Sequence, residues 1–166
     1  ALTDLSALES LTEMGGDLDL YLNDALTDLS GLESLTEVGG RLGINNNDAL
    51  TSLSGLDSLT TVRYLVIYLN GALTDLSGLE SLTSVGGLVD IYTNAALTDR
   101  AGLESPSAVR GSTGGGLTLS SNEALTSISG LESLTEVGGE LRFYNNDALT
   151  DISGLSGLTE APWALY

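Results

Sequence analysis

Apolar residues recur along this chain with two different spacings. Every third residue is apolar in one stretch and every second residue in the next, as in Leu26, Leu29, Leu32, Leu35 and Val38, followed by Leu42 and Ile44. A spacing of two predicts a β-strand with one buried face. A spacing of three suits neither a long strand nor a helix of about 3.6 residues per turn, so it predicts tight arcs, short extended pieces or single 3-10 turns. No segment predicts a long helix.

The same pattern repeats through the whole chain. Ala-Leu-Thr begins each copy, at intervals of 24, 24, 23, 24, 28 and 24 residues, from Ala1, Ala25, Ala49, Ala72, Ala96, Ala124 and Ala148. The repeat positions are numbered here along the consensus A-L-T-D-L-S-G-L-E-S-L-T-E-V-G-G-x-L-x-I-Y-x-N-D. Because one copy cannot bury its own apolar side, the copies must stack. The sequence therefore predicts a single solenoid, with coils 1–24, 25–48, 49–71, 72–95, 96–123 and 124–147 and a partial seventh coil, 148–166.

The paired glycines and a recurring asparagine of the repeat also predict structure. Paired glycines such as Gly39-Gly40 separate the two spacings, so they predict a corner of the coil. Position 23 is asparagine in every complete coil: Asn23, Asn47, Asn70, Asn94, Asn122 and Asn146. Stacked amide side chains can bond the backbone of neighbouring coils, so we expect these six residues to form a structural asparagine ladder.

The segment from Leu42 to Asn47, with Leu50 after it, reads L-x-L-x-x-N-x-x-L and resembles the strand segment of leucine-rich repeats. The longer phrase L-x-x-L-x-G-L-x-x-L-x-x-V-G-G-x-L-x-I-x-x-N resembles the L domains of the insulin and epidermal growth factor receptors and related fungal and bacterial surface proteins. Those domains bind protein ligands or serve at cell surfaces. The resemblance implies a mostly β, right-handed β-solenoid of about seven 24-residue coils, outside the cell or on its surface.

Charge and missing residue types exclude several functions. The net charge is −18 and all five cations are arginines, so the surface repels nucleic acid and anionic membranes. Histidine and cysteine are absent, which excludes disulfides, thiolate chemistry and the usual zinc sites. Without these residues or lysine, the usual acid–base and nucleophilic groups are missing, so we expect no enzyme and no cofactor. No apolar run is long enough to span a membrane.

The outward side of the predicted strand carries aromatic residues. If positions 18 and 20 point inward, positions 19 and 21 point outward. Position 19 includes Arg142, and position 21 carries a tyrosine in four of the six complete coils: Tyr21, Tyr68, Tyr92 and Tyr144. Tyrosine offers a flat ring and a hydroxyl, which suits a protein or sugar partner. We therefore predict that these four tyrosines and Arg142 bind the partner. The alternative is a stacking ladder that stiffens the sheet.

Acidic and hydroxyl side chains form further rows. Position 9 is acidic in the six complete coils, and position 4 is aspartate in most coils. These rows predict a solvated surface, with calcium held between neighbouring carboxylates as an alternative. Threonine fills position 3 in every coil, and its hydroxyl is expected to cap turn backbone. Regular threonine rows also raise ice binding as an alternative.

The fifth coil departs from the repeat. Arg100 and Pro106 stand at inward leucine positions, and four extra residues lie within the stretch from Arg110 to Gly116. Inserted loops of repeat proteins often carry specific contacts. Arg100 and Arg110 therefore predict a contact site for an acidic or polar partner, with a tolerated surface loop as the alternative.

The two ends of the chain differ from its middle. Trp163 is expected to cap the last coil, whereas the first coil has no comparable cap, so its open edge predicts self-association. The chain has neither an initiator methionine nor a signal peptide, and we expect it to be part of a longer, secreted precursor.

These features together predict a non-catalytic recognition or adhesion module that binds a protein or glycan through its outward strand face. The alternatives are a structural spacer that assembles end to end and an ice- or calcium-binding solenoid.

Overall fold

The computed structural model describes residues 1–98, 102–111 and 115–160. Strand accounts for 30% of the residues and helical structure for 4%, and no helix in these ranges reaches 7 residues. Two single 3-10 turns lie at Ser6–Leu8 and Ser153–Leu155. The strands are β1 (Glu13–Met14), β2 (Leu18–Tyr21), β3 (Glu37–Asn45), β4 (Thr61–Tyr68), β5 (Ser84–Val85), β6 (Leu88–Tyr92), β7 (Ala108–Val109), β8 (Gly116–Ser120), β9 (Glu136–Val137) and β10 (Glu140–Tyr144).

All strand pairs are parallel and lie in one sheet of 10 strands. Along one side of the solenoid the strands stack in the order β2-β3-β4-β6-β8-β10, and each residue pairs with the same repeat position in the next coil, as Leu42 does with Leu18 and Leu65. The chain makes about 5 turns. The predicted β-solenoid of stacked coils without long helices is therefore confirmed, whereas its winding sense and its count of about seven coils stay predictions.

The paired glycines interrupt the regular strand pairing in two different ways. Gly39 and Gly40 lie inside β3, but the pairing of β3 with β4 shifts register between Val38 and Arg41, at this glycine pair. By contrast, Gly86 and Gly87 separate β5 from β6. In the second coil the glycine pair thus marks an irregularity within one strand, and the Gly40 N–H donates to the Gly16 carbonyl of the coil before at 3.1 Å.

The core explains the spacing of three. Leu53, Leu56 and Leu59 are fully buried. The Leu56 N–H donates to the Leu53 carbonyl at 3.1 Å, and the Leu59 N–H donates to the Leu56 carbonyl at 2.9 Å. Each bond closes a single tight turn, so every third side chain returns to the same inward face. Together with the inward residues of the strands, these leucines form one continuous core along the stack.

Position 22 adopts an unusual backbone conformation in every complete coil. Its φ lies between 54° and 57° although none of the six residues is glycine: Leu22, Asn46, Leu69, Thr93, Ser121 and Asn145. This left-handed conformation costs most residues roughly 1–2 kcal/mol, and it is least compatible with a β-branched side chain such as threonine. The left-handed residue turns the chain sharply between the end of the strand and the asparagine of position 23.

We expect Thr93→Asn to raise the free energy of unfolding by about 1 kcal/mol, because asparagine tolerates the left-handed conformation better than threonine. Thr93 is exposed, so the substitution should change little else. The melting temperature should rise by about 2–4 °C, and differential scanning calorimetry measures it. Asn46→Thr, at the same repeat position, should lower it by a similar amount, and a lower melting temperature in Thr93→Asn would contradict the strain argument.

Candidate functional site

The outward strand face carries the predicted tyrosines in two different settings. The rings of Tyr68 and Tyr92 stack 4.6 Å apart with only 5° between their planes. In contrast, Tyr21 is 58% exposed and Tyr144 is 48% exposed. We call position 21 the tyrosine column: Tyr21, Asn45, Tyr68, Tyr92, Ser120 and Tyr144 in stacking order. The column is thus a ladder at its centre, with a gap on either side where asparagine or serine replaces the ring.

The gap at Ser120 opens into a cleft. Strand β8 presents only small residues on its outward side, namely Gly116, Thr118 and Ser120. The neighbouring strands β6 and β10 carry larger side chains at the paired positions. The result is a cleft of about 250 Å³. It is lined by Asp90, Tyr92, Thr118, Ser120, Ser121, Arg142 and Tyr144.

The floor of the cleft holds two hydroxyl groups without a protein partner. Thr118 is only 9% exposed and Ser120 only 3%. Within the described residues, neither hydroxyl makes a hydrogen bond to protein. Most buried polar groups have a hydrogen-bond partner, either protein or ordered water. Two such hydroxyls side by side therefore mark a place where water or a ligand supplies the missing bonds.

Charges of opposite sign stand on the two walls. Asp90 and Arg142 flank Thr118, because all three occupy position 19 of successive coils. Burial raises the pKa of Asp90, and the charge of Arg142 acts in the opposite direction without cancelling that effect. Arg142 also forms an ion pair with Glu140 at the rim. The cleft thus offers an acceptor on one wall and a charged donor on the other.

Most of the cleft was not predicted as a site. Tyr92, Tyr144 and Arg142 were predicted to bind, and the structure brings them together here. Asp90, Thr118 and Ser120 were not predicted to bind. The sequence does show that position 21 is serine in the fifth coil and tyrosine in the coils on either side. A run of small residues at consecutive outward positions of one strand, flanked by large ones in both neighbouring coils, is the pattern that identifies such a cleft.

The other predicted binding residues lie apart from this cleft or outside the described ranges. Arg110 is exposed and its guanidinium lies 3.6 Å from the Glu136 carboxylate. Arg100 and Trp163 fall outside the described residues. Gly111 and Gly115 approach so closely that a Cβ on either would overlap the Cα of the other. The base of the four-residue insertion is therefore closed.

The asparagine ladder is bonded along the stack. In the third coil, Asn70 Oδ1 accepts the Asn47 N–H at 3.2 Å, and Asn70 Nδ2 donates to the Ile44 carbonyl at 2.9 Å. The same pair of bonds recurs in successive coils. Each amide thus ties its own coil to the one before, and its side chain stays within the stack instead of facing a ligand.

The acidic rows are bonded to their own backbone turns. At position 4, Asp28 accepts the Ser30 N–H at 3.0 Å, and hydrogen bonds from the Ser30 side chain and backbone lower the pKa of this carboxyl. At position 9, Glu33 accepts the Gly31 N–H at 2.8 Å. Among the described residues no group of three or more acidic side chains could hold a metal ion. Binding of calcium stays a prediction.

The threonine rows make bonds between neighbouring coils. The hydroxyl of Thr36 donates to the Thr12 carbonyl of the preceding coil at 3.0 Å, and Thr60 does the same to Thr36. At position 3 the corresponding bond from Thr74 to Thr51 measures 3.3 Å. These hydroxyls therefore help to hold neighbouring coils in register, and ice binding stays a prediction.

Fold and cleft together define the chain as a β-solenoid with a small polar cleft between two tyrosine rings. The chain matches no known family model, no curated protein and no solved structure. No helix in the described part is long and apolar enough to cross a membrane.

Proposed function

We propose that this chain is a non-catalytic recognition module of the leucine-rich-repeat or L-domain type, exposed outside the cell or at its surface. It binds a protein or a glycan through the outward strand face. The observation that supports this most is the pair of buried, unpartnered hydroxyls of Thr118 and Ser120 between two tyrosine rings. Convergent polar groups of this kind orient the ligand in many binding sites.

Binding without catalysis is supported by the chemistry of the cleft. Its titratable groups are one carboxylate, one guanidinium and two tyrosines. A carboxylate pair of the kind that hydrolyses glycosides needs a second acid across the reacting bond. Arg142 occupies that place opposite Asp90. We therefore propose that the module holds its partner unchanged.

A binding screen against glycan and cell-surface protein arrays tests this proposal. The purified chain is compared with Tyr144→Ser, which removes one wall of the cleft, and with Tyr21→Ser, which removes a similarly exposed ring at the other end of the column. We expect a partner whose binding falls at least tenfold in Tyr144→Ser, because aromatic anchors carry much of the energy of an interface.

Tyr21→Ser shows how far the binding surface extends. A loss in both variants would indicate that the whole strand face binds the partner. A loss in Tyr144→Ser alone would restrict binding to the cleft end. Partners that bind all three proteins equally, or an absence of any partner on the arrays, would contradict recognition through this face. Circular dichroism of each variant checks that the fold is retained.

A further inference from the structure

We infer that the cleft on β8 holds one pyranose ring of a saccharide, packed between the rings of Tyr92 and Tyr144. This inference rests on the proposed function and names the ligand class of the same site.

The spacing of the tyrosine column fits one inserted ring. Adjacent rungs of the column stand one strand apart, as the 4.6 Å between the Tyr68 and Tyr92 rings shows. Tyr92 and Tyr144 are paired to either side of Ser120, so they stand about 9–10 Å apart, twice the strand spacing of ~4.8 Å. A single ring between them can contact both tyrosine faces at the distance found elsewhere in the column. The C–H bonds on the two faces of a pyranose suit such aromatic surfaces.

The polar groups of the cleft suit a ligand with several hydroxyls. Thr118 and Ser120 can each donate and accept, Asp90 accepts, and Arg142 donates. Sugar hydroxyls also donate and accept, so one ring can satisfy groups of all these kinds. A plain aromatic ring would leave the two floor hydroxyls unsatisfied, at a cost that opposes its binding. A phosphate or carboxylate would meet the Asp90 carboxylate in a chain of net charge −18.

The size of the cleft limits the ligand to about one ring. Its volume of about 250 Å³ lies just below the range of roughly 300–1,000 Å³ found for sites of drug-sized ligands. The cleft is open to solvent on its outer side, where Tyr144 is 48% exposed. The remaining residues of a longer glycan can therefore continue outside the cleft.

The second gap of the tyrosine column, at Asn45, is closed by other side chains. Asp19 and Arg41 form an ion pair at 2.6 Å, and the Asp19 carboxylate lies so close to Gly43 that a Cβ on this glycine would overlap it. Asn45 itself fills part of the space between Tyr21 and Tyr68. This gap therefore supplies a matched control for the cleft at Ser120.

The inference is tested by filling each gap with a tyrosine. Ser120→Tyr completes the column between Tyr92 and Tyr144 and occupies the cleft, whereas Asn45→Tyr completes it at the closed gap. Saturation-transfer NMR and calorimetric titration then measure binding of methyl glycosides of glucose, mannose, galactose and N-acetylglucosamine. For one ring we expect a Kd on the order of millimolar. Ser120→Tyr should weaken it at least tenfold, and Asn45→Tyr should leave it unchanged.

Other outcomes separate this inference from the proposed function. If no glycoside binds, or if Ser120→Tyr binds as well as the unaltered chain, the saccharide inference is overturned. A protein partner whose binding is lost in Tyr144→Ser would then still support recognition through this face. If Ser120→Tyr fails to fold, Tyr144→Ser replaces it, because the exposed Tyr144 side chain can be removed without disturbing the core. Glycoside binding that survives in Tyr144→Ser would likewise overturn the inference.

Discussion

Asn70→Ala is expected to lower the free energy of unfolding by about 3–4 kcal/mol, because it leaves several buried polar groups without partners. Asn70 is fully buried. Its side chain accepts the Asn47 N–H, and it donates to the carbonyls of Ile44 and Tyr68. Alanine can replace none of these bonds.

Urea denaturation followed by circular dichroism measures this loss. Asn45→Ala is the matched control, since it removes the same amide from the outward face, where Asn45 is only partly buried. We expect the control to change the free energy of unfolding by less than about 1 kcal/mol. Equal losses in the two variants would show that the ladder bonds contribute no more than an ordinary surface amide.

Gly55→Ala is expected to destabilise the solenoid by more than about 3 kcal/mol. Gly55 has a φ of 107°, and a Cβ built on it would lie 2.2 Å from the carbonyl oxygen of Leu29 in the preceding coil. Relief of this overlap would require two coils to separate, because the clashing atom belongs to the backbone. The first coil carries Ala7 at this repeat position, and there the chain instead forms the 3-10 turn Ser6–Leu8.

The thermal melting temperature of Gly55→Ala should therefore fall sharply, and Gly71→Ala provides the comparison. Only the Asp48 carboxylate would approach a Cβ on Gly71, at 3.8 Å, and position 24 carries Asp24, Asp48 or Ala95 in other coils. Gly71→Ala should be neutral or stabilise by about 0.4–1 kcal/mol through the unfolded chain. A small effect of Gly55→Ala would mean that the coils can move apart easily.

The stacked architecture could be predicted from the sequence because the same spacing of apolar residues recurs in successive repeats. One leucine at a spacing of three is ambiguous, but the buried row from Leu50 through Leu53, Leu56 and Leu59 has a buried counterpart in the second, fourth and sixth coils. The conserved spacing between coils also fixes the parallel register, since each position meets its own equivalent. A fold can be predicted from its sequence when the local pattern and the global packing agree in this way.

The cleft could not be predicted in the same way, because it depends on differences between coils. Ser120 is unremarkable by itself, and its meaning comes from Tyr92 and Tyr144 standing on either side of it. Thr118 is likewise buried by its neighbouring strands, and its own polar side chain gives no sign of this burial. A consensus sequence hides these differences. The cleft becomes visible only when the residues at one repeat position are compared between adjacent coils.

The asparagine ladder also bears on how such a chain can change its length. Each of its bonds reaches only a neighbouring coil, as between Asn47 and Asn70 or Asn70 and Asn94. In a stack held by nearest-neighbour bonds, stability is roughly a sum over adjacent units. A unit of 24 residues could therefore be duplicated or deleted in a single genetic event, and the ladder would close again around it. The cleft needs only the three coils of β6, β8 and β10, so the solenoid could lengthen or shorten elsewhere while this site stayed intact.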